Sequence, residues 1–463
     1  MSGHSKIRFG MPDPLFMTLA VLLVVLLIGG GAARAGEIGQ MVVRVAAALC
    51  LAITVLAAPW HPRLGSTSAY FARPIPLYLL LAVIALVLVQ LVPFPPSIWQ
   101  GLPGRQILVH AVTGDQPWRP LSIVPDATVN AAFSLLVPLA VLILTMALPR
   151  DARGRLPALV LGLIVVAMLV GVLQFSGTRF DNPLVNETVG SVSGTFANRN
   201  HFALFLALGC LIAPLWPFLS NHRTVWRGPT AFSMMVIFLL MILATGSRAG
   251  ILVGGIAMVL GVLLAHEGIR RALRHAPRWA FPALVTAMAA TITIFVVISV
   301  SADRAASITR VSTLDAGGDI RAKAVPTVWN IILDYLPVGA GFGSFDPVFR
   351  LHEPFDLLKP TYFNHAHNDF LEIVLDGGVP ALLVLLAAIG WWAWASIRTW
   401  RARPEPQVML GRLGSAMLLL VFVASIVDYP ARTPLMMAMI VIAALWLSWG
   451  TDMSVRTPLP SKS

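Results

Sequence analysis

Charged residues are scarce in this chain of 463 residues. Only 12% of its residues are Asp, Glu, Lys or Arg, whereas 57% are hydrophobic. Soluble globular domains carry about 25% charged residues. The composition therefore excludes an ordinary soluble domain and indicates a polytopic membrane protein.

Cysteine and the common enzyme motifs are also lacking. The two cysteines, Cys50 and Cys210, lie inside apolar runs, where we expect buried thiols and no disulfide. No P-loop, GxGxxG fingerprint or Ser-His-Asp order stands out, and the glycine-rich residues 337–345 do not open a helix after a strand. Nucleotide-binding folds of these types are not indicated.

Long apolar runs are abundant. A helix needs about 20 apolar residues to cross the hydrocarbon core of a bilayer. Twelve runs approach that length: residues 15–30, 41–58, 76–92, 131–148, 156–175, 200–218, 231–245, 249–265, 281–300, 379–398, 408–427 and 433–449. The first lacks a convincing cleavage site, so we expect a retained span or signal anchor. The predicted fold class is all-α and polytopic, with about twelve spanning helices and no internal repeat.

Basic residues give a formal net charge of +12, but they are concentrated on one side of the predicted bundle. They are Arg150, Arg153, Arg155, Arg223, Arg227, Arg270, Arg271, Arg274, Arg278, Arg398, Arg401, Arg403, Arg412, Arg456 and Lys462. The positive-inside rule makes this side cytoplasmic, together with both termini. The basic excess is thus a topology signal, and no nucleic-acid partner is expected.

The opposite side carries the long loops, at residues 93–130, 176–200 and 301–368. Loops longer than about 15 residues are usually functional or disordered. The third loop contains Trp329, Ile331, Ile332 and Leu333 at helical spacing, so we predict a small folded cap there. Function is then expected on the outer face, which is periplasmic if the cell has two membranes.

A polar, histidine-bearing segment runs directly into a span at residues 361–383, TYFNHAHNDFLEIVLDGGVPALL. Gly is favoured just after a helix end, and Pro is tolerated in a first helical turn. The pattern predicts a short helix over residues 369–376, a break at Gly377 and Gly378, and a spanning helix from about Val379. Asn368 is placed to cap the short helix, whose positive end lies beside the histidines.

The two histidines, His365 and His367, have three interpretations. With Asp369 they could bind a metal, but zinc sites usually have a second cluster of His or Cys, and none is present. They could be an exposed surface pair. A near-neutral pKa also suits a general base or proton shuttle. We predict no metal site and favour the base, with the surface pair left open.

Four basic residues on the outer side are candidates for the same site. Arg248 occupies a short outer turn, against the positive-inside bias, which favours a functional role over contact with headgroups. For Arg199 and His201, at the start of the sixth span, a site role and an interfacial pair are about equally favoured. Arg321 lies in the long loop, where an arginine is ordinarily solvated.

The segment HNDFLEIVLDGGVPA resembles the signature of the O-antigen ligase and polymerase family. In that signature, His and then Asn, Ser or Gln are followed by nine residues, a Gly, two residues and a closing Gly, Thr or Tyr. Here His367 and Asn368 precede Gly378 by this spacing, and Ala381 occupies the closing position in place of Gly, Thr or Tyr. GTFANRNHFA, TGSRAGIL and the run from Arg321 through Trp329 to PVGAGFG follow the family's order, so the likeness covers about residues 190–400.

The resemblance implies a glycosyltransferase with an architecture like that of the membrane glycosyltransferases called GT-C. Such proteins take a glycan from an undecaprenyl pyrophosphate carrier and pass it to an acceptor hydroxyl on a glycan or on lipid A-core, within the bacterial inner membrane. By resemblance, Arg248 and Arg321 hold the pyrophosphate, His367 is the catalytic base of an inverting reaction, and Arg199, His201, His365 and Asn368 are pocket candidates. No cofactor, nucleotide sugar or divalent cation is expected.

The predicted organisation has three parts. Residues 1–190 form N-terminal spans with the outer loop 93–130, residues 191–400 form the ligase-like core, and residues 401–463 form the last spans and a short cytoplasmic tail. A transporter or flippase of a lipid-linked glycan is the alternative. Transporters place broken helices and charges near the midplane in both halves, whereas the candidate charges here lie on the outer face. The transferase is favoured, and ligase and polymerase stay equally open.

Overall fold

The computed structural model describes residues 13–57, 74–111, 113–178, 190–219, 226–274, 320–358 and 363–456, with a few single or short stretches between them. Most of these residues are helical. Their only sheet is a two-residue antiparallel ribbon that pairs β1 (Pro93–Phe94) with β2 (Arg119–Pro120). The predicted all-α class is confirmed.

The N-terminal part of the chain contains nine of the described helices. They are α1 (Pro14–Gly29), α2 (Ile38–Ala57), α3 (Ile75–Val89), α4 (Pro96–Trp99), α5 (Gln106–His110), α6 (Pro125–Ser134), α7 (Leu136–Ala147), α8 (Arg150–Arg153) and α9 (Leu156–Phe175).

The second half contains the helices around the candidate site. They are α10 (Arg199–Leu215), α11 (Arg227–Ala244), α12 (Arg248–Leu273), α13 (Ile320–Tyr335), α14 (Phe345–His352), α15 (Asp369–Arg401), α16 (Pro406–Ser425) and α17 (Pro434–Arg456). Single 3-10 turns lie at Trp216–Phe218, Phe355–Leu357 and Pro430–Arg432.

Nine helical segments among the described residues are long and apolar enough to cross a membrane. They are Ile38–Leu56, Pro125–Ala147, Arg150–Phe175, Arg199–Phe218, Arg227–Ala244, Arg248–Ala272, Asp369–Arg401, Pro406–Ser425 and Pro434–Asp452. The predicted first and third spans correspond to the shorter apolar helices α1 and α3. The predicted ninth span, residues 281–300, lies outside the described residues apart from isolated positions.

Two hydrophobic cores organise the chain. The larger core joins the spanning helices and includes the buried free thiol of Cys210; Cys50 is also free and buried. The smaller core joins α13, α14 and the start of α15 through residues such as Val328, Phe349 and Leu375. The predicted cap is therefore a folded unit with its own core, packed on one end of the bundle.

The predicted break in the helix at residue 378 is confirmed. Within α15, Gly378 has a φ of 61° and a ψ of −151°, which is not a helical conformation. The glycine-rich segment of the cap lies against this break: Val379 N donates to Pro337 O at 2.8 Å, and Ala340 N donates to Leu375 O at 2.8 Å. The break therefore fixes the cap to the entrance of the spanning helix.

We expect Gly378→Ala to lower the melting temperature of the purified protein and to reduce its activity. A Cβ at residue 378 would lie 2.2 Å from Pro337 O, in a backbone region that only glycine adopts readily. The backbone strain alone is worth about 1–3 kcal/mol. Gly390→Ala is the matched control, because a Cβ at this position in the same helix meets no atom within 4 Å. Equal melting temperatures for the two variants would contradict this account of the break.

Candidate active site

The candidate site lies where three polar segments meet at one end of the bundle. These are the segment before α15 with His365 and His367, the start of α10 with His201, and the connection between α16 and α17 with Asp428 and Tyr429. Each segment lies at one end of a spanning helix. Residues from distant parts of the chain are thereby brought together at the bundle end.

Asp428 is the centre of this cluster. Its side chain is only 2% exposed, and its carboxylate accepts hydrogen bonds from Asn198 Nδ2 at 3.1 Å, Asn200 Nδ2 at 2.5 Å and Tyr429 N at 3.0 Å. His201 Nε2 lies 3.7 Å from Asp428 Oδ1. Burial alone would raise the pKa of Asp428, but the neighbouring histidines and Arg321 outweigh it and hold the pKa well below its ordinary range. The carboxylate is therefore ionised.

His367 contacts this carboxylate directly, with Nδ1 at 3.2 Å from Asp428 Oδ1. An ionised carboxylate only accepts hydrogen bonds, so this geometry assigns the imidazole hydrogen to Nδ1 and leaves Nε2 as the basic nitrogen. Burial lowers the pKa of His367 below 6.5, while the bond to Asp428 opposes that shift. The imidazole is neutral at pH 7 and able to accept a proton.

The backbone at His367 is also unusual. Its φ is 51°, and it is the one non-glycine residue with a positive φ among those that the structure describes. Histidine enters this left-handed region more often than most residues, although at some energetic cost. Such conformations are concentrated at functional sites. The backbone here presents the imidazole to Asp428.

Tyr429 packs among three histidine rings. Its ring centroid lies 5.0 Å from that of His201, 4.3 Å from that of His365 and 4.9 Å from that of His367. Burial raises the pKa of the Tyr429 hydroxyl to about 12, so it remains protonated at neutral pH. The Tyr429 ring therefore contacts all three histidine rings.

A second ionic cluster lies beside the first, at the start of α15. Arg432 lies 3.5 Å from an oxygen of Asp369, 3.4 Å from one of Glu372 and 3.1 Å from one of Asp376. All three carboxylates are buried on one face of α15. Their charge raises the pKa of Arg432 further above its ordinary value, although burial alone would lower it. Arg432 therefore ties the α16–α17 connection to the entrance of α15.

His365 belongs to this second cluster. Its Nδ1 lies 2.8 Å from Glu372 Oε1, and the other Glu372 oxygen accepts a hydrogen bond from Ala366 N at 2.8 Å. The side chains of His365 and His367 are each 15% exposed, so the surface-pair interpretation is wrong. The two histidines face different carboxylates: His365 contacts Glu372, and His367 contacts Asp428.

Arg321 reaches the site from the cap. Its NH1 lies 3.9 Å from Asp428 Oδ2 and 3.5 Å from Val427 O, and its side chain is 37% exposed. The bare sequence favoured a solvated arginine in a loop, and this geometry corrects that expectation. Arg321 places an accessible guanidinium beside the His367–Asp428 pair.

A small cleft adjoins the cluster. It is lined by Asn200, His201, Leu204, Ala249, Gly250, Val253, Ala424, Asp428 and Pro430. Arg248 is exposed and begins α12 immediately before two of the lining residues. Arg199 begins α10 between Asn198 and Asn200, the two amides that donate to Asp428. Asn368 caps α15 as predicted, because its Oδ1 accepts from Leu371 N at 3.0 Å.

Part of the chain matches a known protein family. Residues 233–386 match the family model described as O-antigen ligase. The chain carries an O-antigen ligase family domain. The match agrees with the resemblance found in the sequence and includes Arg248, Arg321, His365, His367 and Asn368. No curated protein matches the chain.

Several residues beside the O-antigen ligase domain escaped the sequence analysis. Asp428, Tyr429 and Arg432 lie after residue 386, outside the matched range, in a short polar break between two apolar runs. The sequence did mark these positions, because ionisable residues at the end of a predicted span are functional candidates. Asp369, Glu372 and Asp376 also carried a signal: their spacing places three acids on one helix face at the start of a span.

The residues considered as metal ligands, His365, His367 and Asp369, contact different partners. His365 contacts Glu372, His367 contacts Asp428, and Asp369 accepts from Ser425 Oγ at 2.8 Å and contacts Arg432. No group of three metal-ligating side chains was found among the residues that the structure describes. These side chains are instead paired with protein partners.

Proposed function

We propose that this protein is a glycosyltransferase that moves a glycan from an undecaprenyl pyrophosphate carrier to an acceptor hydroxyl at the periplasmic face of the bacterial inner membrane. The acceptor is lipid A-core for a ligase or another lipid-linked glycan for a polymerase. One observation carries the proposal. A neutral His367, oriented by an ionised Asp428, lies beside the accessible guanidinium of Arg321, at the end of the bundle where α15 begins.

The chemistry follows from this arrangement. His367 Nε2 takes the proton of the acceptor hydroxyl while the acceptor oxygen forms a bond to C1 of the donor sugar. The bond between C1 and the pyrophosphate oxygen breaks, with inversion at C1, and undecaprenyl pyrophosphate leaves. The proton resides on His367, whose imidazolium is stabilised by the Asp428 carboxylate. Transfer thus needs one base and one site for the leaving group.

The leaving group carries the developing negative charge. Guanidinium groups bind phosphate oxygens in a fixed fork and stabilise such charge without a metal ion. In this proposal Arg321 and Arg248 bind the pyrophosphate from the cap side and from the α12 side of the cleft. Asn200 and His201 line the cleft, and Arg199 lies at the same helix start.

Transport of a lipid-linked glycan is a weaker proposal. A transporter is expected to place its ionisable groups near the bilayer midplane. Here the groups that contact Asp428 and Arg432 lie in connections or in the first turns of helices, and the deepest is Asp376, just before the break in α15. Their position favours chemistry at the membrane surface over passage through the bilayer.

The first test is the glycan profile of cells that lack this protein. Loss of the lipopolysaccharide ladder with accumulation of lipid-linked polymer would support a ligase, whereas single repeat units without polymer would support a polymerase. Complementation with wild type should restore the profile in either case. An unchanged profile in the deletion strain would contradict the proposed function.

The pH dependence of transfer should have an acid limb set by His367. Its pKa lies below 6.5 because of burial, and only the neutral imidazole accepts a proton. As the pH falls through this lowered pKa, the base is protonated and the rate falls; above it the rate should be level. The test is the pH profile of kcat/KM, with circular dichroism to show that the fold persists. An acid limb with its midpoint above pH 7 would contradict the assignment.

A further inference from the structure

Helix α13 of the cap presents three distinct faces. One face is buried in the cap core and consists of Ala324, Val328, Ile331, Ile332 and Tyr335. At 100° per residue, the remaining surface divides into two stripes of different character. A two-faced helix of a soluble domain would have only one polar surface opposite its core.

The first exposed stripe is apolar. Val325, Trp329 and Leu333 follow one another at intervals of four residues and are 41%, 52% and 53% exposed. Residues four apart are neighbours on a helix surface. Ala322 and Pro326 are also exposed and lie on the same side. The stripe therefore runs along most of the helix without a charged residue.

The second exposed stripe is polar. Lys323, Asn330 and Asp334 are all exposed and share a face at intervals of seven and four residues. The sequence of faces around the helix is thus core, apolar stripe and polar stripe. Such a division is typical of a helix that lies between a hydrophobic phase and water.

The position of α13 in the fold supplies the hydrophobic phase. Leu371, Val374 and Leu375, in the first turns of the spanning helix α15, pack with the core face of α13. The helix therefore lies at the level where α15 enters the membrane. The 3-10 turn packed against it is anchored by buried Leu357, while the neighbouring Phe355 is 89% exposed.

We propose that α13 lies on the adjacent leaflet of the bilayer, with the stripe of Val325, Trp329 and Leu333 inserted among the lipid chains. Bilayer lipid fits this surface better than a single bound chain, because the stripe is convex and open, whereas ligand subsites are concave. Tryptophan is enriched at membrane interfaces, where Trp329 would lie. Lys323, Asn330 and Asp334 remain in water.

If the proposed function holds, contact of α13 with the leaflet also positions a residue of the cleft. Arg321 lies one turn before Val325 on the same helix, and its guanidinium contacts Asp428. A helix held on the leaflet keeps that guanidinium at headgroup height. The negatively charged pyrophosphate of a membrane-anchored donor lies at the same height. The lipid contact would thus position the donor-binding arginine.

Site-directed spin labelling tests the proposal without any assay of activity. Nitroxides are attached to single cysteines at residues 325, 329 and 333, and to matched cysteines at 323, 330 and 334, in full-length protein carrying Cys50→Ala and Cys210→Ala. The protein is reconstituted in phosphatidylcholine–phosphatidylglycerol liposomes. Power saturation with oxygen and with the water-soluble Ni-EDDA complex then reports the phase around each label. Leu383→Cys, at an exposed position on α15, and Arg350→Cys, on the exposed side of the cap, are the membrane and water references.

The expected result is a loss of Ni-EDDA access at residues 325, 329 and 333, to the level of residue 383, while residues 323, 330 and 334 match residue 350. Equal Ni-EDDA access at 329 and 330 would overturn the proposal. Labels at the stripe could instead be accessible to Ni-EDDA in liposomes without donor and lose that access only after undecaprenyl pyrophosphate is added. This result would also overturn the proposal and would assign the stripe to the donor chain. Because the donor is absent from the first measurement, failure here leaves the proposed transfer reaction untouched.

Discussion

Replacement of His367 by alanine is expected to lower the transfer rate by about 10²–10⁴-fold, the range that general-base catalysis commonly contributes. The imidazole is the neutral base of the proposed reaction, because its Nδ1 contact with Asp428 leaves Nε2 to accept the proton. In the absence of His367, the acceptor hydroxyl has lost its proton acceptor. The rate should be measured as glycan transfer by purified protein in liposomes.

The fold should survive this substitution. The side chain of His367 is partly accessible, and Asp428 retains hydrogen bonds from Asn198, Asn200 and Tyr429 N. We therefore expect little change in melting temperature. His352→Ala is the matched control, since His352 lies in the cap, where it contacts Tyr335 and Asp334. A wild-type rate for His367→Ala would remove the catalytic role proposed for this residue.

Arg432→Leu is expected to cause the largest loss of stability. The substitution leaves Asp369, Glu372 and Asp376 buried without the cation that contacts all three. Removing one partner from a buried ionic cluster typically costs about 3–5 kcal/mol. The measurement is the melting temperature in detergent, together with the yield of folded protein.

Two further variants separate the buried charge from a general effect of losing an arginine. Arg350→Ala removes an exposed ion pair with Asp346, for which a cost of about 0–1 kcal/mol is expected. Adding Asp376→Asn to Arg432→Leu removes one of the unpaired carboxylates and should recover part of the melting temperature. If Arg432→Leu were no less stable than Arg350→Ala, the cluster would not stabilise the α15 entrance.

Much of the membrane fold could be predicted from local pattern. Apolar length alone located eleven of the twelve proposed spans in helices, and the remaining one lies outside the described residues. The break at Gly378 could also be predicted locally, because glycine is favoured just after a helix end and proline is tolerated in a first helical turn. The cap could be predicted as folded because its apolar residues repeat at helical spacing.

The contacts of the site could be predicted only in part. His367 and Asn368 belong to one short segment and were recognised together. Asp428 lies 61 residues further along the chain, and nothing in local periodicity specifies which loop approaches which. Arg321 shows the same limit: its neighbourhood reads as a solvated loop, and only the packing of the cap on α15 brings it to Asp428.

The most direct test of the proposed function is a single-turnover reaction in proteoliposomes. Purified protein is given a labelled glycan on undecaprenyl pyrophosphate and a defined acceptor, and mass spectrometry quantifies glycosylated acceptor and released undecaprenyl pyrophosphate. The account predicts the two products in equal amounts, at a rate that depends on His367. Movement of the intact lipid-linked glycan across the bilayer, with no bond formed to the acceptor, would contradict it and support a transporter instead.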